Sequence, residues 1–104
     1  MVNEYDVPLD SNGYAPSVLC NGKCCFLCGR GGDLVRHEVF HGIAYRQKSK
    51  RLGAWVLLCP SCHANVHNYA SVELPLKRTA QITMSAHYGW NIEDFRREYG
   101  RSYI

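Results

Sequence analysis

The rhythm of apolar and polar positions changes along this chain, and each change marks an expected element. Residues 1–19 carry Pro8, Gly13 and Pro16 among scattered polar positions and read as a flexible N-terminal arm, either a loose tail or a strap. Residues 20–33 (CNGKCCFLCGRGGD) form a glycine-rich knuckle. LVRHEV, residues 34–39, mixes apolar and polar positions as a short strand does. A polar, basic loop is expected over 41–53, closed by Gly53, and Ala54–Leu58 (AWVLL) is a compact β-prone run. Pro60 suits the first turn of a helix that runs through SCHANVHNYA. Pro75 opens another expected helix, ended by Gly89, and Asn91 with Asp94 caps a last short one that Gly100 stops. The pattern predicts an α+β domain over 20–104, with two strands and a helix followed by further C-terminal helices.

The cysteines change this picture most. A chain of 104 residues buries only roughly 60–65% of its unfolded surface and often needs a staple. Its cysteines could form disulfides in a secreted scaffold, but the first residues, MVNEYDVPLDSNGYAP, lack an apolar leader segment. No run approaches the roughly 18–20 apolar residues of a membrane span. The expectation is a monomeric protein of the reducing cytoplasm, without membrane contact, whose thiolates hold zinc. Cys25-x2-Cys28 and Cys59-x2-Cys62 supply paired knuckles for one tetrahedral Zn²⁺. Cys20 and Cys24 are then spare thiols, with either as the alternative to Cys25.

The net charge of +3 is mild, but its distribution is informative. Arg46, Lys48, Lys50 and Arg51 fall together, and no acidic residue occurs from Ala44 through Leu58. Such a loop suits a polyanion such as DNA; a merely solvated basic loop is the alternative.

Two further pairs could carry chemistry. His63 and His67 are four apart, so on a helix both project from one face and can reach one metal ion. Cys62 points about 100° away around the same helix, so one helix start can serve a thiolate site and an imidazole site. His37 and Glu38 are adjacent, and strand neighbours face opposite ways. At a strand end leading into a turn at Gly42, both can approach one phosphate.

The stretches CFLC, LVRHEV and LLCPSCHANVH together resemble the zinc-knuckle branch of the HNH endonucleases, the His-Me finger or ββα-metal fold. More narrowly, HEVFHGIAYRQKSKRLGAWVLLCPSCH is similar to small phage proteins of the recombination-enhancement, RecA-dependent nuclease group. The likeness spans about residues 24–104. It implies a metal-dependent DNA endonuclease of phage or prophage origin, at work in the cytoplasm of a bacterial host, with a recombinase filament as a further partner. By position it makes His37 a metal ligand, Glu38 the general base, and His63 and His67 ligands from the helix. Arg46, Lys48, Lys50 and Arg51 would hold neighbouring phosphates.

The chain departs from the family pattern at informative points. The base position, usually histidine, is Glu38; an exchange of roles between His37 and Glu38, or participation of His41, is the alternative. The asparagine usual before the second strand is replaced by the Ala54-Trp55 region. The imidazoles suit Mn²⁺, Ni²⁺ or a second Zn²⁺ better than Mg²⁺, which prefers oxygen. The competing function is a zinc-stabilised nucleic-acid-binding or adaptor module without catalysis.

Overall fold

A computed structural model describes all 104 residues. Strand β1 (Val35–Glu38) and strand β2 (Trp55–Leu58) form a two-stranded antiparallel sheet. The register sets Val35 opposite Leu58 and Glu38 opposite Trp55. Helix α2 (Pro60–Asn68) follows β2 directly. Pro60 sits in its first turn and Cys59 is its cap, with the thiol accepting the Cys62 N–H at 3.5 Å. Sheet and helix thus form the expected ββα unit.

The expected basic loop is largely helical, a correction to the sequence reading. Helix α1 (Arg46–Leu52) interrupts it. Its residues include Arg, Gln, Lys and Leu, all good helix formers. Ser49 and Leu52, three apart, are buried on one face, and the Ser49 hydroxyl donates to the Phe40 carbonyl at 2.6 Å. Gly53 ends the helix at φ 81°, and a Cβ there would collide with the Pro16 carbonyl. Glycine is therefore required on two counts.

The next helix also differs from expectation. Helix α3 spans Ala70–Tyr88, so Pro75 lies inside it rather than at its start. The missing Pro75 N–H falls in the second turn, where it forfeits one intrahelical bond, and the packing of Leu76, Ala80 and Met84 holds the helix on the core. Helix α4 (Ile92–Tyr99) begins with the expected capping box. Asn91 accepts the Asp94 N–H at 2.8 Å, Asp94 accepts the Asn91 N–H at 3.1 Å, and Gly100 stops the helix. Its buried Phe95 and Tyr99, four apart, pack on Phe40, with ring centroids 5.1 and 4.5 Å away.

Residues 1–19 lie along the domain as a strap. The Asn3 amide donates to the Arg51 carbonyl at 2.7 Å, Ala15 N–H to the Lys50 carbonyl at 2.9 Å, and Val18 N–H to the Gly53 carbonyl at 2.9 Å. The Ser17 hydroxyl donates to Trp55 O at 2.5 Å, and the Trp55 indole donates to Ala15 O at 2.8 Å. Trp55 is accordingly a core anchor, while Trp90 is half-buried and stacks on Tyr88 at 4.8 Å. No helix is long and apolar enough to cross a membrane.

Candidate metal centres and active site

The thiolate centre comes from two tight turns. The Cys25 carbonyl accepts the Gly29 N–H at 2.8 Å, which curls the first knuckle, and the β2–α2 junction forms the second. The sulfurs of Cys25, Cys28, Cys59 and Cys62 all lie within 4.8 Å of one another. Cys28 Sγ and Cys59 Sγ are 3.7 Å apart. That is far beyond the ~2.05 Å of a disulfide, and it matches the ~3.8 Å edge of a tetrahedron with ~2.3 Å zinc–sulfur bonds. Burial pushes the Cys62 thiol up, and the neighbouring thiols add to it; at Cys25 backbone N–H donors outweigh burial and pull the thiol down. Thiolates crowded this closely fit a divalent cation. Cys24 is exposed and Cys20 half-buried, and neither joins the cluster.

The second centre is built from β1 and α2. His37 is only 4% exposed, and its ligating nitrogen lies within 4.8 Å of those of His63 and His67. His63 Nε2 and His67 Nε2 are 3.0 Å apart. Bonds of about 2.1 Å to one ion set adjacent nitrogens about 3.0–3.4 Å apart, so the spacing fits. His37 Nε2 is buried without a hydrogen-bond partner. A polar atom left this way costs free energy unless something binds it, and a metal ion would. Burial, and then the neighbouring His63, His67 and His41, lower the His37 pKa from 6.5 to about 4. Burial and His67 also lower that of His63. At neutral pH the His37 imidazole is uncharged and able to ligate.

An open cavity of about 300 Å³ joins this cluster to its surroundings. Its walls are Tyr14, Arg36, His37, Glu38, His41, Arg46, His63 and His67. Glu38 ends β1, and there the strand alternation does not prevent it from sharing the cavity with His37. Its Oε2 accepts the Tyr14 hydroxyl at 3.2 Å, and its Oε1 is 3.6 Å from Arg46 Nε. His41 Nε2 meets Glu73 Oε2 at 3.0 Å. Burial would raise the Glu73 carboxyl, but His41 and Lys77 bring it below its ordinary value.

The basic residues of the sequence reading do not stay together. Arg46 alone of the four lines the cavity. Lys48 donates to the Glu98 carbonyl at 3.0 Å, Arg51 pairs with Glu4 at 2.7 Å, and Lys50 lies 4.8 Å from the Tyr14 ring centroid. Sequence reasoning missed Tyr14, Arg36 and Glu73 altogether. Tyr14 belongs to the strap, and Glu73 reaches the site from α3, so no local spacing ties either to His37.

Residues 25–69 match the family model described as HNH endonuclease. No curated protein and no solved structure matches the chain.

Proposed function

We propose, from the match of residues 25–69 to the HNH endonuclease family model, that the chain is a divalent-metal-dependent DNA endonuclease acting through His37, Glu38, His63 and His67. The carrying observation is the convergence of three imidazoles, one of them buried with an unpartnered nitrogen, beside a carboxylate in one open cavity. His37, His63 and His67 are the residues that would hold a divalent ion, whether Mg²⁺ or Mn²⁺ or, as imidazole donors also suit, Zn²⁺ or Ni²⁺. Bound there, it supplies Lewis-acid stabilisation of charge on the scissile phosphate and leaving oxygen.

Glu38 serves as general base. It takes a proton from water as the water oxygen bonds to phosphorus; the opposite phosphorus–oxygen bond breaks, and the leaving oxygen keeps the electron pair and gains a proton from solvent. Arg46 contacts a phosphate in the cavity, and the rest of the basic stretch contributes to the surrounding field. Contacts of this kind position the backbone without reading bases, which implies weak sequence preference and strong salt dependence. The likeness of HEVFHGIAYRQKSKRLGAWVLLCPSCH to phage RecA-dependent nucleases supports a link to recombination.

The test is incubation of the purified chain with supercoiled and single-stranded DNA, with Mn²⁺ or Mg²⁺ and with EDTA. Metal-dependent cleavage that disappears in His63→Ala is expected. Cleavage that persists in that variant places the chemistry elsewhere. DNA retention without cleavage in any metal supports the adaptor function instead.

A further inference from the structure

The segment that carries the family pattern begins at residue 25, yet one wall of the cavity is Tyr14. The backbone around Tyr14 is held from both sides. Asp10 Oδ1 accepts the N–H groups of Asn12 and Tyr14, each at 2.9 Å, and Asp10 N–H returns a bond to Tyr14 O at 2.9 Å. The next residue, Ala15, is buried and clipped to both Lys50 and Trp55. The ring is fixed as well. The Arg36 guanidinium lies 4.2 Å and the Lys50 ammonium 4.8 Å from its centroid, and the Trp55 ring meets it edge-on at 5.7 Å. Cations over an aromatic face are held by the ring quadrupole, so the hydroxyl has little freedom in where it points.

It points at Glu38. The terminal torsion of a glutamate is broad and soft, so a carboxylate is held in one plane only by partners on its oxygens. Here Oε2 takes the Tyr14 hydroxyl at 3.2 Å, and Oε1 faces Arg46 at 3.6 Å. Each carboxylate oxygen has two acceptor sites, so capacity remains for a water molecule. Burial, and then the charge of Glu38 itself, raise the Tyr14 pKa; the phenol therefore stays protonated and acts as donor.

We propose that Tyr14 is a positioning residue of this site, holding the Glu38 carboxylate in the orientation from which it takes a proton from the attacking water. This rests on the reading of Glu38 as general base. The N-terminal strap is then part of the active site and not only of the fold.

Tyr14→Phe tests it, because phenylalanine keeps the ring and its cation contacts and removes only the hydroxyl. The zinc-loaded full chain is compared with the variant on supercoiled DNA in Mn²⁺, alone and in a Glu38→Gln background. Loss of one hydrogen bond to a charged group predicts a fall in kcat of about tenfold to a hundredfold. KM for DNA, Mn²⁺ affinity by calorimetry and the melting temperature should match the parent. In the Glu38→Gln background the same substitution should cost nothing further, since its effect passes through the carboxylate. Full activity of Tyr14→Phe overturns the proposal. So does an equal loss in both backgrounds, or a fall in melting temperature or Mn²⁺ affinity large enough to explain the loss. An inactive parent chain overturns the nuclease reading and this proposal together, whereas an active parent with independent effects overturns this proposal alone.

Discussion

The sulfurs of Cys28 and Cys59 sit 3.7 Å apart although the residues are 31 positions apart in the chain. That closure brings the β1–β2 segment together, and structural zinc in small domains contributes on the order of 10 kcal/mol to folding. Cys59→Ser should therefore lose the zinc and unfold the domain, as read by circular dichroism and metal content. Cys24→Ser should retain both, because Cys24 is exposed and outside the cluster. A Cys59→Ser protein with the parent's spectrum and melting point excludes this zinc site.

His67 is exposed and His63 half-buried, so their removal leaves the core untouched. His63→Ala and His67→Ala should keep the parent melting temperature within a degree or two, bind the second ion more weakly in calorimetry, and lose at least about a hundredfold in cleavage. That loss reflects the several kcal/mol that metal stabilisation of the transition state supplies.

The four basic residues of the 46–51 segment should separate in a salt titration of DNA binding. Arg46→Ala should lower affinity and reduce the slope of log K against log salt by about one. Lys48→Ala and Arg51→Ala remove partners of Glu98 and Glu4. Exposed pairs of this kind contribute about 0–1 kcal/mol, so these variants should register in stability more than in DNA affinity. Equal effects at all of these positions would show that the whole segment faces DNA.

His37 makes stability pH-dependent. Its pKa is about 4 in the folded chain against an ordinary 6.5, so between these values the unfolded chain binds a proton that the folded chain does not. The contribution is fully present above pH 6.5 and is lost as pH falls toward 4, up to about 3 kcal/mol. Urea unfolding of parent and His37→Gln without added second metal, each at pH 7 and pH 5, isolates it. The parent should lose more stability on acidification than the variant, the zinc dependence being common to both.

Gly53 ends α1 where the strap crosses it. A side chain there meets both a left-handed φ of 81° and the Pro16 carbonyl. Gly53→Ala should destabilise by at least about 1 kcal/mol, measurable as a lower denaturant midpoint with an unchanged slope.

The ββα unit, both cysteine knuckles and the His63–His67 pair were legible because each rests on short-range spacing: C-x2-C, a four-residue helical interval, a β-prone run; His37 was tied to that pair only through the likeness to the HNH endonucleases. What escaped depends on distant contacts. Arg46–Leu52 reads as a polar loop until the Phe40 carbonyl takes the Ser49 hydroxyl and the hydrophobic core takes Leu52. Pro75 reads as a helix start because its intrinsic cost is visible in sequence and the packing of Leu76 and Met84 is not. Tyr14 and Glu73 belong to no motif; they reach the site only through the path of the strap and the placement of α3.

The packing of Phe40 has a consequence for dissecting the molecule. Its ring rests on Phe95 and Tyr99, which lie beyond the matched segment, while the strap that clamps Trp55 precedes it. A fragment trimmed to residues 25–69 would retain the side chains of both the cysteine and the histidine cluster and yet expose the apolar surface that shapes them. The family signature here is not a portable cassette; grafting or minimising it means carrying both chain ends along.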